Sequence, residues 1–99
     1  MHSFEVPGMS PVEFVNAMRA KLAAKEFDSY VVIDLNGSSL IVELRWMGTS
    51  RFEFQVADRI DGFRAEFVGQ RIAPLHGAFT DKFEHYFDDA LEKVGAKAV

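Results

Sequence analysis

Histidine and carboxylate recur at helical spacing in one stretch of this chain, where His85 lies four residues after Asp81 and three and four residues before Asp88 and Asp89. On a helix those intervals set side chains on one face, as two ligands of one cation require. Two or three donors on a single exposed helix leave an ion mostly to water, and no second cluster elsewhere completes a coordination shell. A solvated acidic face is therefore the reading adopted, with no metal and no cofactor expected. His76 follows Pro74-Leu75 in a loop; an imidazole there acts as a general base only when a partner such as a carboxylate orients it, and the sequence supplies none. Ser38-Ser39 and Thr49-Ser50 fall in turn segments, where hydroxyls bond the backbone, and they are not read as nucleophiles. Trp46 falls near a strand end on the core side and reads as packing. No catalytic residue is assigned, and an enzyme is the less favoured class.

Composition narrows the classes further. The 99 residues form one domain, which buries about 65% of the surface of its unfolded chain and needs no metal or disulfide to fold. The chain has no cysteine, which removes disulfides and thiolate zinc sites and suits a reducing compartment. There is no apolar run of about 18 residues, and Met1-His2-Ser3-Phe4-Glu5 lacks the basic start and apolar middle of a signal peptide. A cytoplasmic location with no membrane partner is expected. The net charge of -4 argues against nucleic acid, which is met by clustered Lys and Arg.

The elements that would position any site are legible from local signals. Residues 1–9 read as a mobile lead-in; Phe4 and Val6 alternate as a short edge strand would, but Pro7-Gly8 cuts the run. Ser10-Pro11-Val12-Glu13 has the form of a capping box, with Ser at N-cap, Pro at N1 and Glu at N3, flanked by Met9 and Phe14 at staple positions. It predicts a helix from Pro11 to about Glu26 with Val15, Met18 and Leu22 inward and Asn16, Arg19 and Lys25 outward.

From Tyr30 to Phe67 the pattern is strand, turn, strand, turn, strand, loop, strand. Asn36-Gly37 predicts a type I′ hairpin that sets Leu35 opposite Ser38, Ile33 opposite Leu40 and Val31 opposite Val42, with Val32 beside Ile41 and Tyr30 beside Glu43 on the other face. A three-residue loop Gly48-Thr49-Ser50 then matches Trp46 with Phe52, Leu44 with Phe54, Val42 with Val56 and Arg45 with Glu53. A two-residue loop would mix the faces. After Asp58-Arg59-Ile60-Asp61-Gly62, the alternation of Phe63, Ala65 and Phe67 gives a fourth strand whose register the sequence leaves open, and Pro74 requires that strand to have ended or to lie at an edge.

A second helix is predicted to start between Ala78 and Asp81 and reach Val94, with Gly95 at C′ and residues 95–99 fraying. Phe79, Phe83, Phe87, Ala90, Leu91 and Val94 form its apolar stripe; Asp81, Glu84, His85, Asp88 and Glu92 lie outward. The expected fold is α+β, a two-layer sandwich of helix, four-stranded antiparallel meander and C-terminal helix, with both helices on one sheet face. The double-stranded RNA-binding domain shares the order helix, meander, helix. It has three strands and a basic start to its second helix, whereas this helix opens Thr80-Asp81-Lys82 and turns more acidic, so no family is assigned.

Small size, acidic balance and exposed sheet edges favour a non-catalytic protein-interaction module such as an adaptor, inhibitor, chaperone or self-associating subunit. The alternative is a binder or enzyme for a small apolar ligand held between sheet and helices; the third class is nucleic-acid binding through Arg45, Arg51, Arg64 and Arg71. Candidate partner residues are Asp88, Asp89 and Glu92, which sit towards the helix C-terminus, where the dipole disfavours negative charge. A basic patch on a partner protein would meet them. Tyr30, Val32 and Ile41 are expected as a small apolar patch near an edge strand, suited to a weak homodimer or a partner contact.

Overall fold

The computed structural model describes residues 1–22 and 29–99. The capping box forms as its chemistry requires. The Glu13 backbone N–H donates to Ser10 Oγ at 3.2 Å, and the Ser10 N–H donates to Glu13 Oε1 at 3.0 Å. The helix it starts, α1, spans Pro11–Leu22 and buries Phe14, Val15, Met18 and Leu22. Its expected extension through residues 23–26, with Lys25, lies outside the described residues.

The described strands number six rather than four and form one antiparallel sheet. They are β1 (Phe4–Pro7), β2 (Val31–Asn36), β3 (Ser39–Arg45), β4 (Thr49–Arg59), β5 (Gly62–Arg71) and β6 (Lys97–Ala98), in the spatial order β2-β3-β4-β5-β1-β6. The two additional strands come from segments expected to be mobile. Phe4 and Val6 point into the core, each 1% exposed, and β1 pairs with β5 so that Phe4 faces Ala65 and Val6 faces Phe63. Pro7 does not block this strand because it is its last residue. The tail then lays Lys97 and Ala98 against Glu5 and Phe4.

Gly62 makes the close approach to β1 possible. Its φ is +119°, and a Cβ there would sit 2.0 Å from the Val6 carbonyl oxygen, a distance no side chain tolerates.

Both hairpins keep the expected faces but move in register. The first turn is Gly37-Ser38, not Asn36-Gly37, because Asn36 pairs with Ser39, Leu35 with Leu40 and Ile33 with Val42. Positive φ occurs at Gly37 alone in that loop, which suits a turn with Gly at the first central position rather than one needing two such residues. The second loop has three residues, but they are Trp46-Met47-Gly48, with φ of 49° at Met47 and 123° at Gly48. Val42 therefore faces Phe52, Leu40 faces Phe54 and Leu44 faces Ser50.

On the outer face the expected neighbours separate. Val32 lies opposite Glu43, while Ile41 lies between Asp34 and Glu53. Arg45 lies opposite Thr49 instead of Glu53, and its guanidinium bonds Glu43 on its own strand at 2.5 Å.

The open register of β4 and β5 places Val56 opposite Ala65 and Phe54 opposite Phe67, with a bulge beyond. Glu53 pairs with Gly69, so Val68 is the extra residue.

A 3₁₀ helix, Pro74–Phe79, leads into α2, Thr80–Lys93. Gly95 stands at C′ as expected: its N–H bonds the Glu92 carbonyl at 3.1 Å and the Ala96 N–H bonds the Leu91 carbonyl at 3.0 Å, closing the helix. Phe83, Phe87, Ala90 and Leu91 join the side chains of α1 and the inner sheet face in one core, so both helices cover the same face. Leu44, Phe54, Phe83 and Phe87 are all buried there as the periodicity predicts. Phe79 instead ends the 3₁₀ helix, half-buried.

Candidate functional site

The acidic face of α2 is a consequence of how tightly its other side is used. Phe83, Phe87, Ala90 and Leu91 are buried, which turns Asp81, His85, Asp89 and Glu92 to solvent. Asp88 is half-buried. It lines a shallow concavity of about 250 Å³ with His2, Phe4, Leu91, Glu92, Ala96 and Ala98. Asp89 lies 2.9 Å from Lys93 Nζ one turn on, and Glu84 takes the amino group of Met1. Among the described residues no three His, Asp or Glu side chains are arranged to hold a metal ion.

The second candidate set lies on the other layer. Tyr30 precedes β2, the edge strand, and is 39% exposed; its carbonyl accepts the Arg45 N–H at 2.7 Å. Val32 and Ile41 are half-buried on the outer sheet face, amid Asp34, Glu43 and Glu53. Arg19 reaches across from α1 and bonds the Ile33 carbonyl at 2.7 Å and Asp34 Oδ1 at 3.0 Å. It thereby occupies one of the carbonyls that an edge strand would offer to another chain. The two candidate sets thus belong to two separate faces and do not form one site.

A third constellation is invisible in the sequence. Ser50 and His76 are each 1% exposed, and Ser50 Oγ lies 2.5 Å from His76 Nδ1. His76 Nε2 lies 2.5 Å from the Trp46 carbonyl oxygen. A carbonyl only accepts, so Nε2 carries a proton, and in the neutral imidazole Nδ1 then accepts the Ser50 hydroxyl. The Ser50 oxygen also accepts the Ala73 N–H at 2.9 Å.

Serine, imidazole and an orienting oxygen in sequence are the parts of an activated nucleophile, but here the hydroxyl is enclosed. The Trp46 ring stacks on His76 at 6.2 Å and meets the Phe79 edge at 5.1 Å. The arrangement ties the β3–β4 loop, β4 and the 3₁₀ helix together. Ser50 is therefore a core-facing residue of β4 and not the turn residue that its place after Gly48-Thr49 suggests. Its signal lay only in its alternation with Phe52 and Phe54.

The four arginines of the nucleic-acid reading are divided. Arg64 bonds Glu66 at 2.9 Å and Arg45 bonds Glu43. Arg51 and Arg71 come together directly opposite each other across β4 and β5. Among the described residues no helix is long and apolar enough to cross a membrane. Compared with protein-family models, curated proteins and solved structures, the chain has no significant match.

Proposed function

We propose that this chain is a small protein-interaction module without catalytic activity, working in the cytoplasm, whose acidic α2 face meets a basic patch on a partner protein. The observation that carries this reading is the placement of Asp88, Asp89 and Glu92. They lie in the C-terminal half of α2, where the helix dipole makes negative charge unfavourable by a few tenths of a kcal/mol to about 1 kcal/mol per residue, and their opposite face is already committed to the core. Charge of this kind speeds encounter more than it tightens a complex. Tyr30, Val32 and Ile41, set apart by the register and interleaved with Asp34, Glu43 and Glu53, give a lesser contact, through which two copies associate weakly.

The test is capture from native cell extract on immobilised wild-type protein and on a variant with Asp88→Lys, Asp89→Lys and Glu92→Lys. The expected result is a partner held by the wild type, released by added salt and lost by the variant while the variant remains folded. Equal capture by both proteins in low salt would reduce the acidic face to a soluble surface.

A further inference from the structure

Arg51 and Arg71 are register partners on β4 and β5, so their side chains project from the same, outer face. Like charges directly opposite on neighbouring strands weaken a sheet. Arg51 faces Glu43 across β3, whose carboxylate is taken up by Arg45, and has Glu53 at 3.7 Å on its own strand, a loose contact. Arg71 makes no ion pair among the described residues. The bulge shapes the surface beside them. Gly69 lies opposite Glu53 with open space where a Cβ would stand, and the extra residue Val68 is 56% exposed. Together Arg51, Glu53, Val68, Gly69, Gln70 and Arg71 line a concavity of about 380 Å³.

We infer that this concavity is a binding site for an organic phosphate monoester. Paired guanidinium groups match tetrahedral oxyanions through two parallel N–H donors each, as a lysine pair would not. An anion between them converts a repulsive cross-strand pair into an attractive one. The open floor at Gly69 admits the phosphoryl group, and Val68 offers an apolar contact to its carbon substituent. Glu53 lies on the remaining wall, where its carboxylate competes with the phosphate for Arg51 and accepts a hydroxyl of the ligand. The inference is independent of the acidic helix, which lies on the other layer.

The experiment titrates the full chain separately with inorganic phosphate and with phenyl phosphate at constant ionic strength, following backbone amide resonances. Saturable shifts centred on Arg51, Val68, Gly69 and Arg71 are expected with both probes, at several-fold lower concentration for phenyl phosphate. Arg71→Gln should weaken both titrations at least tenfold, and Val68→Ala should remove most of the preference for the ester.

Thermal unfolding gives a readout that a merely structural role for Arg71 would not move. Phenyl phosphate raises the midpoint of the wild type and not of Arg71→Gln, which without ligand is at least as stable as the wild type. Saturation by inorganic phosphate with no preference for the ester overturns the ester assignment. Diffuse shifts that do not saturate, or an unchanged titration in Arg71→Gln, overturn the site.

Discussion

The hydroxyl of Ser50 meets Nδ1 of His76 at 2.5 Å across 26 positions of sequence, and the same oxygen accepts the Ala73 N–H. Removing that oxygen orphans two buried groups at once. An unsatisfied buried donor or acceptor costs about 1–3 kcal/mol, so Ser50→Ala is expected to lower stability by more than the loss of one surface hydroxyl. In a double-mutant cycle with His76→Phe, urea unfolding should show the pair coupled by about 0.5–3 kcal/mol. Additive effects would mean that the two side chains act independently.

The core prediction rests on Phe54, which is fully buried, 5.3 Å from the Phe4 ring and 5.4 Å from Phe67. Phe54→Ala is expected to cost roughly 3–5 kcal/mol, a large part of the stability of a domain this size. Chemical denaturation measures it, and an unchanged midpoint would contradict the register.

At the start of α1, the Ser10 backbone N–H and then the Ser10 hydroxyl hold the Glu13 carboxyl below its usual value of 4.5. A lowered folded-state value means that the stabilising contribution is complete above the ordinary carboxylate range and is lost as pH falls through the folded value. Wild-type stability should therefore decline in that acid window by more than that of Glu13→Gln, whose amide keeps an acceptor without titrating. Ser10→Ala should cost about 1 kcal/mol at neutral pH. Thermal unfolding across a pH series distinguishes these outcomes.

For self-association, sedimentation velocity of the wild type at rising concentration is expected to show a weak, reversible shift towards dimer. Ile41→Lys should abolish it. A wild type that sediments as a monomer throughout would remove Tyr30, Val32 and Ile41 from the interaction surface.

The core was legible before its partners were. The first hairpin register moved by two positions and the second by four, and an even shift leaves each side chain on its own face. Leu44, Phe54 and Ile33 were thus placed inward correctly while their opposite numbers were not. The helix signals at Ser10, Glu13 and Gly95 were local and survived intact.

What escaped was long-range. Nothing near Ser50 announces that His76 will satisfy it, and nothing near Phe4 announces Ala65. The alternation of Phe4 and Val6 was a true strand signal, outweighed by Pro7-Gly8, although a strand that ends at the proline sacrifices no ladder bond. The arginine pair was likewise hidden, because Arg51 and Arg71 meet only once the bulge at Val68 has set the register.

The pairing of β1 with β5 also bears on synthesis. Phe4 and Val6 find their partners only at Ala65 and Phe63, so β1 leaves the ribosome long before the strand it docks against. Until then two core side chains and an unpaired backbone edge remain exposed, the condition in which nascent chains are most open to wrong pairing. The local β2–β3 hairpin can close within about 1–10 μs, whereas docking of β1 carries the closure entropy of a loop of some sixty residues. Attachment of this strand is therefore expected to be a late event in folding, and nascent chains stalled before Phe63 emerges should be cut by protease within β1.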